Sequence, residues 1–550
     1  MENPKAVLIG LDGADWRLLK PWMAEGLLPT LYRLVSEGVS GKLRSTIRPE
    51  SSVAWSSLST GVNPGKHGIF GFAESVPSSY NFRLINASNV NVRRFWDALG
   101  DAGLKIGVLN MPVTYPPSSV NGFVIGGMLT PGLDTNFTYP ASLRSRLLRH
   151  FPDYLIDAGD LVSDRQALVD KAHRYTEQQL AMTLWLMQEE PCDFFSVVFT
   201  APDRIQHFLW ADMDREHPAH LKQPTSTLSN AILQLYKQLD QAIAQILSQL
   251  SENTLVIIVS DHGFNGVQRR FYVNEWLTQH GYIRLKPEIT RWRSDLVGWV
   301  KRNIGTWQWL RRIKRAILSP RLSLTDLESH AFEKAVDWSR TRAYFSLVGG
   351  LHINLEGRDP QGIVSFSDYP LLCEELVEQL MALVDPETQR PILTNVYHRT
   401  ELYAGPYVAK SPDLILEPQR ENDEARYNVV LDKALHSESG DYMGLADPLS
   451  ANHTMDGIFI AWGNGLVRGA TLDHIQLIDI APTLLAHFRI PVPGYMDGRV
   501  LDEIYVPGTA PSFTIDADAV TIGLVNQSAD YSAKESVAVE TRLRDLGYLD

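Results

Sequence analysis

Two short apolar runs end abruptly in acidic or imidazole side chains. Val7–Leu11 runs into Asp12-Gly13, and Ile257-Ile258-Val259-Ser260 runs into Asp261-His262-Gly263. Runs this short, apolar on both sides of the chain, read as parallel strands buried on both faces. Similar runs recur at Lys105–Leu109, Asp193–Phe199 and Gly457–Trp462. Between them lie helical patterns, most clearly Ile232–Leu250, with apolar residues at 232, 235, 239, 243, 246 and 250. Strands alternating with helices predict an α/β fold with a parallel or mostly parallel sheet. Such sheets collect ligands at the carboxyl ends of their strands, where these charged residues fall.

Composition narrows the function classes. Hydrophobic residues make up 44% of the 550 and charged residues 21%, which suits a large folded core and excludes global disorder. The charge sum of 51 basic and 64 acidic residues is −13, without the basic footprint of a stable nucleic-acid partner. A small anionic substrate is compatible with that balance, because a bound metal supplies positive charge locally. Cys192 and Cys373 are the only cysteines, which excludes a disulfide framework and a thiolate zinc cluster. No apolar run reaches the ~18 residues of a membrane span, and the N-terminus reads directly into a strand without a signal-peptide pattern. A soluble cytoplasmic protein is the expectation.

One stretch departs from the rest. Arg291–Arg321 carries nine Lys/Arg, a single acid (Asp295), and Trp292, Trp299, Trp307 and Trp309. It reads as part of a mainly helical insertion. Two meanings compete: a cap whose tryptophans pack inward, or a cationic helix making peripheral contact with an anionic membrane. The chain after about Tyr505 starts with Pro, Gly, Ser and Thr and becomes helical near Ala533–Leu546.

Taken singly, the chemistry-bearing residues have ordinary readings. Asp12 before Gly13 can simply make a turn. A serine in Pro49-Glu50-Ser51-Ser52 can cap a helix or act as a nucleophile once a metal lowers its pKa. His67, in a glycine-flanked loop, reads as structural. Asp203 and His207, at i,i+4, share one helix face and can either pair or bind one metal. Asp261 and His262 can ligate together only where the strand breaks, since neighbours on a strand point to opposite faces. His453 lies just before the Gly457–Trp462 run. Asn110, at a strand end in the proline-rich Leu109–Pro117 segment, can shape that loop or donate to a substrate oxygen. Together these are oxygen and imidazole donors enough for two metal ions, and they suit zinc, manganese or iron better than copper(I).

At these residues the sequence resembles the alkaline phosphatase superfamily, and within it the type I phosphodiesterase/nucleotide pyrophosphatase branch. The resemblance runs through VLIGLDGADW, WSSLSTGVNPGKHGIFGF, LNMPVTYPP, DFFSVVFTAPDRIQHFLW, VIIVSDHGF, HTMDGIFIAWG and IDIAPTLLAHFRIPVPGYMDGRVL. It implies a three-layer α/β/α sandwich with a mostly parallel central sheet. Residues 1–275 and 346–505 would form the core, 276–345 a mainly helical cap insertion, and 506–550 a C-terminal tail with a helix. It implies two divalent metal ions, zinc first, with manganese or iron as alternatives. One would be held by Asp203, His207 and His453, the other by Asp12, Asp261 and His262 with the Ser51 oxygen. Ser51 would be the nucleophile, where this branch commonly has threonine, and Asn110 a substrate-binding donor. The sulfatase cysteine motif is absent. The arginine that phosphomonoesterases set against the phosphoryl group has no evident counterpart, although Arg48 or a cap residue could serve. The implied activity is hydrolysis of a small phosphate diester or nucleotide pyrophosphate through a phospho-serine. The alternatives are a phosphomonoesterase, a membrane-surface phospho-headgroup transferase, and a catalytically idle binding protein.

Overall fold

The computed structural model describes residues 4–157, 164–220, 226–287, 332–420, 427–435, 437, 439–446, 449–520 and 530–545. At its centre is a nine-stranded sheet. Its order is Ala470–Gln476, Val39–Arg44, Asp456–Trp462, Leu255–Val259, Ala6–Leu11, Phe194–Phe199, Ile106–Leu109, Gly122–Ile125 and Thr138–Tyr139. The run from Leu255–Val259 to Gly122–Ile125 is parallel throughout. Asp456–Trp462 runs antiparallel to both neighbours, and Thr138–Tyr139 closes the far edge antiparallel. All five strands expected from the apolar runs are present. Ala470–Gln476 is the edge strand and Val39–Arg44 the strand beside it, and both are interrupted by polar residues, with Lys42, Arg44, Asp473 and His474 reaching water.

The period of two along Ala6–Leu11 sends side chains to opposite faces. Val7, Ile9 and Leu11 pack with Leu186, Ile205 and Leu235, from the helices Arg165–Glu189, Ala201–Met213 and Ala231–Leu247. Ala6 and Leu8 pack on the other face with Trp55, Leu58, Phe95 and Leu484, from Ser51–Thr60, Phe95–Asp101 and Ile480–His487. These are the three α/β/α layers.

A second hydrophobic core lies outside this sheet and joins Phe271, Trp276 and Phe345 to Leu376, Leu414 and Met443. It belongs to a four-stranded antiparallel sheet, Ala343–Phe345, Leu351–Ile353, Leu414–Pro418 and Leu393–His398, and a mixed three-stranded sheet, Val429–Asp432, Arg269–Tyr272 and Met443–Leu445. This core spans both sides of the 345/346 boundary expected from sequence. Tyr80 anchors it to the first part of the chain, stacking on Trp338 at 3.6 Å and donating to Asn354 Oδ1 at 2.7 Å. The basic, tryptophan-rich stretch 291–321 lies outside the described residues. Near the C-terminus, helix Ala533–Asp545 buries Val539 and Leu543 against Val113, Met128 and Leu129. Among the described residues no helix is long and apolar enough to cross a membrane.

Candidate metal centre

Each candidate ligand sits at a strand end or on an element packed there. Asp12 follows Ala6–Leu11, and Gly13 then turns the chain with φ +73°, where a Cβ would meet the Phe264 ring at 2.9 Å. Asp261 and His262 occupy the break between Leu255–Val259 and the next strand, Gly263–Gly266. Asp203 and His207 lie one turn apart on Ala201–Met213. His453 is on Ala451–Thr454, which pairs antiparallel with Gly263–Gly266 and sets His453 opposite Phe264. That pairing stacks the His453 ring on His262, with centroids 3.6 Å apart.

All six side chains are buried and converge. Asp203 Oδ1 is 3.0 Å from His453 Nε2 and 3.5 Å from His207 Nε2. His262 Nε2 is 3.2 Å from Asp261 Oδ2, 3.7 Å from Asp12 Oδ1 and 3.9 Å from Asp203 Oδ1, so it lies between the two groups. Ser51 opens helix Ser51–Thr60, with its Oγ 3.4 Å from Asp12 Oδ1 and 3.3 Å from His262 Nε2. Neighbouring Ser52 turns away and donates to Glu50 Oε1 at 3.1 Å.

The donor chemistry fits cations. Each histidine uses Nδ1 toward a backbone carbonyl: His207 to Ala451, His453 to Pro49, and His262 to Gly263, at 3.0, 2.7 and 3.1 Å. Those bonds fix the tautomer, leaving every Nε2 as a lone pair turned inward. The Nε2 atoms of His207 and His453 are 3.0 Å apart, too close for two bare lone pairs without a positive charge between them. Asp261 Oδ2 is buried without a hydrogen-bond partner. Asp12, Asp261 and His262 offer one set of atoms that could hold a metal; Asp203, His262 and His453 offer another.

The electrostatics agree. Burial, then the charges of Asp261 and Asp203, push the Asp12 carboxyl well above its ordinary value. Burial and Asp203 raise Asp261 to about 8. Burial also opposes the charge on Asp203, but His207, His453 and Arg204 outweigh it and hold that carboxyl well below the usual range. Burial lowers His453 to about 4 and drives His262 well down, so both rings are neutral. Three crowded carboxyl groups beside the neutral rings of His262 and His453 form a site that asks for cations.

Other residues hold this cluster in place. Trp55, one turn beyond Ser51, donates Nε1–H to Asp12 Oδ2 at 3.1 Å. Arg204, 1% exposed, donates to Asp203 Oδ2 at 2.7 Å and straddles Asp157 with two contacts of 3.2 Å. The i,i+4 spacing of Ser51 and Trp55 is visible in the sequence. The direction of Arg204 is not, because Asp157 is 47 residues away. His67 is structural: its Nδ1 accepts from Ile69 N–H at 3.1 Å and its ring meets Ser57 Oγ at 2.8 Å. Asn110 has φ +59°, accepts from Tyr154 OH at 3.3 Å, and keeps a buried Nδ2 without a partner. Arg48 is turned to Glu50 Oε2, 2.8 Å away. Cys192 and Cys373 are buried and unpaired.

Comparison with known proteins adds to this geometry. A family model described as type I phosphodiesterase / nucleotide pyrophosphatase matches residues 6–428. Among solved structures, the fold is similar to phosphonoacetate hydrolase from Sinorhizobium meliloti 1021 in complex with phosphonoformate. The TM-score is 0.52 at 13% identity, over 87% of this chain and 94% of that one. The same hydrolase with phosphonoacetate gives 0.50 at 14% identity, again over 87% and 94%. Human ectonucleotide pyrophosphatase / phosphodiesterase 5 gives 0.46 at 14% identity, over 89% of this chain and 95% of that chain. No curated protein matches by sequence. The two phosphonoacetate hydrolase structures speak to the fold, while the family match covers most of the chain and includes every strand end that carries the cluster except the one at His453. The chain belongs to the type I phosphodiesterase/nucleotide pyrophosphatase family of phosphoester hydrolases.

Proposed function

We propose that the protein hydrolyses a small phosphate diester or nucleotide pyrophosphate bond with two zinc ions and Ser51 as nucleophile. The observation that carries this reading is the Ser51 hydroxyl, set 3.4 Å from Asp12 and 3.3 Å from His262 inside a cage of inward-facing donors. Asp203, His207 and His453 would hold one ion, and Asp12, Asp261 and His262 the other, a donor set that suits zinc. When bound, such ions lower the pKa of a hydroxyl and neutralise charge on a phosphoryl group.

Ser51 is placed for the rest of the chemistry. It begins a ten-residue buried helix, so the positive end of the helix dipole favours its alkoxide. Its Oγ would form a bond to phosphorus as the opposite P–O bond breaks and the leaving oxygen departs. Water would then cleave the phospho-serine, returning Oγ–H and releasing the acid. Burial of the cluster keeps bulk water from screening these interactions. The unpartnered Nδ2 of Asn110 is our candidate donor to a phosphoryl oxygen. The two unpaired cysteines support a reducing, cytoplasmic setting.

The test compares bis-p-nitrophenyl phosphate with p-nitrophenyl phosphate, using zinc-loaded wild type and Ser51→Ala. Faster diester cleavage, lost by at least about a thousandfold in the variant with zinc content retained, is expected. Faster monoester cleavage would move the protein to the phosphatases. A variant as active as wild type would remove Ser51 from the mechanism.

A further inference from the structure

A cleft of about 170 Å³ opens beside His207 and His453 and runs between the central sheet and the second core. Its walls carry Arg48, Arg270, Arg420 and Lys433, against Glu50, Glu417 and Asp432. Two of these cations are matched to carboxylates: Arg48 to Glu50 at 2.8 Å, and Arg270 to Asp432 at 2.5 Å. Glu417 accepts from Tyr397 OH at 2.9 Å. Arg420 differs, because its half-buried guanidinium makes no hydrogen bond or ion pair with any described residue. Burial lowers its pKa to about 10; Glu417 opposes that shift, while Arg48 and Arg17 reinforce it. It therefore stays charged at neutral pH.

A guanidinium drawn partly out of water with no carboxylate partner among the described residues is costly to the fold. It is also the group best shaped to grip a carboxylate or phosphate with two parallel hydrogen bonds. Among the described lining residues, Phe345 is the only Phe, Tyr or Trp ring, so the cleft lacks an aromatic platform for a nucleobase. Its volume is below the roughly 300–1,000 Å³ of pockets for drug-sized ligands, which places any second group close to the reacting phosphorus.

We infer that Arg420 is a specificity-determining residue that binds a second anionic group, a carboxylate or a phosphate, on a compact substrate. This rests on the hydrolase reading above for where the scissile phosphoryl group lies. With metal held by His207 and His453, Arg420 adds a second positive group to the same cleft, which then selects doubly anionic esters over singly anionic ones.

Mono-p-nitrophenyl esters of phosphonoacetate, of methylenebisphosphonate and of phosphonoacetamide separate carboxylate, phosphoryl and uncharged arms. With zinc-loaded wild type, kcat/KM for one or both anionic esters should exceed that for the amide about tenfold or more, chiefly through KM. Arg420→Met should collapse this ratio toward one, and Arg420→Lys should restore part of it. Which anionic arm is preferred tells carboxylate from phosphate. Binding of the unreactive acids methylenebisphosphonate, phosphonoacetate and methylphosphonate, followed by calorimetry, reads the clamp without turnover. Arg420→Met should weaken one or both diacids about tenfold relative to methylphosphonate. No ester turnover, with that binding difference intact, would overturn the hydrolase reading and keep the clamp. Equal ratios in wild type and Arg420→Met, in a variant with wild-type thermal stability, would overturn the clamp.

Discussion

Arg204 shows how much of the candidate centre depends on a residue outside the ligand set. Its guanidinium lies between Asp157 and Asp203, at 1% exposure, so it neutralises two carboxylates that have no access to water. Removing it leaves both buried without their shared cation. Arg204→Met should cost about 3–5 kcal/mol in urea unfolding of the metal-free protein, the range for breaking a buried ion pair from one side. Added zinc should recover part of that loss, because Asp203 regains a positive neighbour. A variant as stable as wild type would mean that Asp157 and Asp203 are not held as described.

The candidate ligands were legible because chemistry-bearing side chains are local in sequence at strand ends. Asp12, Asp261 and His262 announce themselves by interrupting apolar runs, and Asp203 and His207 by a helical spacing. His453 was visible only as a histidine near a strand. What places it is its antiparallel pairing with Gly263–Gly266, a contact across some 190 positions that no local pattern records. Arg420 had no signal at all, since a lone arginine far from any motif looks like surface. Ser51 and Ser52 differ only in which way a helix start turns them, and the fold settles that direction.

At the scale of elements, the strand Ala6–Leu11 and the helix Ser51–Thr60 approach so closely that a side chain is excluded between them. A Cβ on Gly10 would lie 2.5 Å from Trp55 Cη2 and 2.9 Å from Val198 Cγ2. Trp55 also holds Asp12 through its indole N–H. Packing and site are thus one contact. Gly10→Ala should destabilise the fold by about 1–3 kcal/mol, the usual cost of overpacking, and should weaken zinc binding by displacing Trp55. Thermal denaturation and zinc titration of the variant read the two effects separately. Loss of stability with unchanged zinc affinity would show that Trp55 does not position Asp12.

Element types followed from periodicity and short apolar runs, but the last two strands at one side of the central sheet did not. Val39–Arg44 reads as Val-Ser-Gly-Lys-Leu-Arg, and in Ala470–Gln476 only Ile475 is fully buried. Their strand character comes from pairing with Asp456–Trp462 and with one another, not from their own side chains. The second core was hidden for a similar reason, since its seven short strands belong together only through the chain's return from residue 345 to 443.

At the scale of the molecule, the centre couples metal, protons and stability. In the unfolded chain Asp261 has an ordinary carboxyl pKa of about 3.9; in the metal-free fold it is raised to about 8, and Asp12 is raised as well. Between those values the fold binds more protons than the unfolded chain, so stability falls as pH rises. The buried histidines His453, His352 and His67, lowered to about 4, 4 and 3, act in the opposite sense. Their contribution grows as pH rises toward the unfolded value of about 6.5 and is complete above it. The window from about 7 to 8, where unfolded imidazoles are mostly neutral, is therefore dominated by the carboxylates. Metal-free protein should lose about 1–2 kcal/mol across it, read from urea midpoints. Zinc should abolish or reverse that slope, because ligation favours the deprotonated carboxylates. A metal-free protein equally stable at both pH values would show that these carboxyls are already ionised.

The most direct test of the two-metal, Ser51-centred account is a zinc titration of chelated protein while bis-p-nitrophenyl phosphate hydrolysis is followed, in wild type, Asp203→Ala and His453→Ala. The account predicts no turnover without metal, full activity only as the second equivalent binds in wild type, and one tight equivalent with little activity in each variant. Undiminished hydrolysis by the chelated protein, or two tight equivalents in both variants, would contradict it.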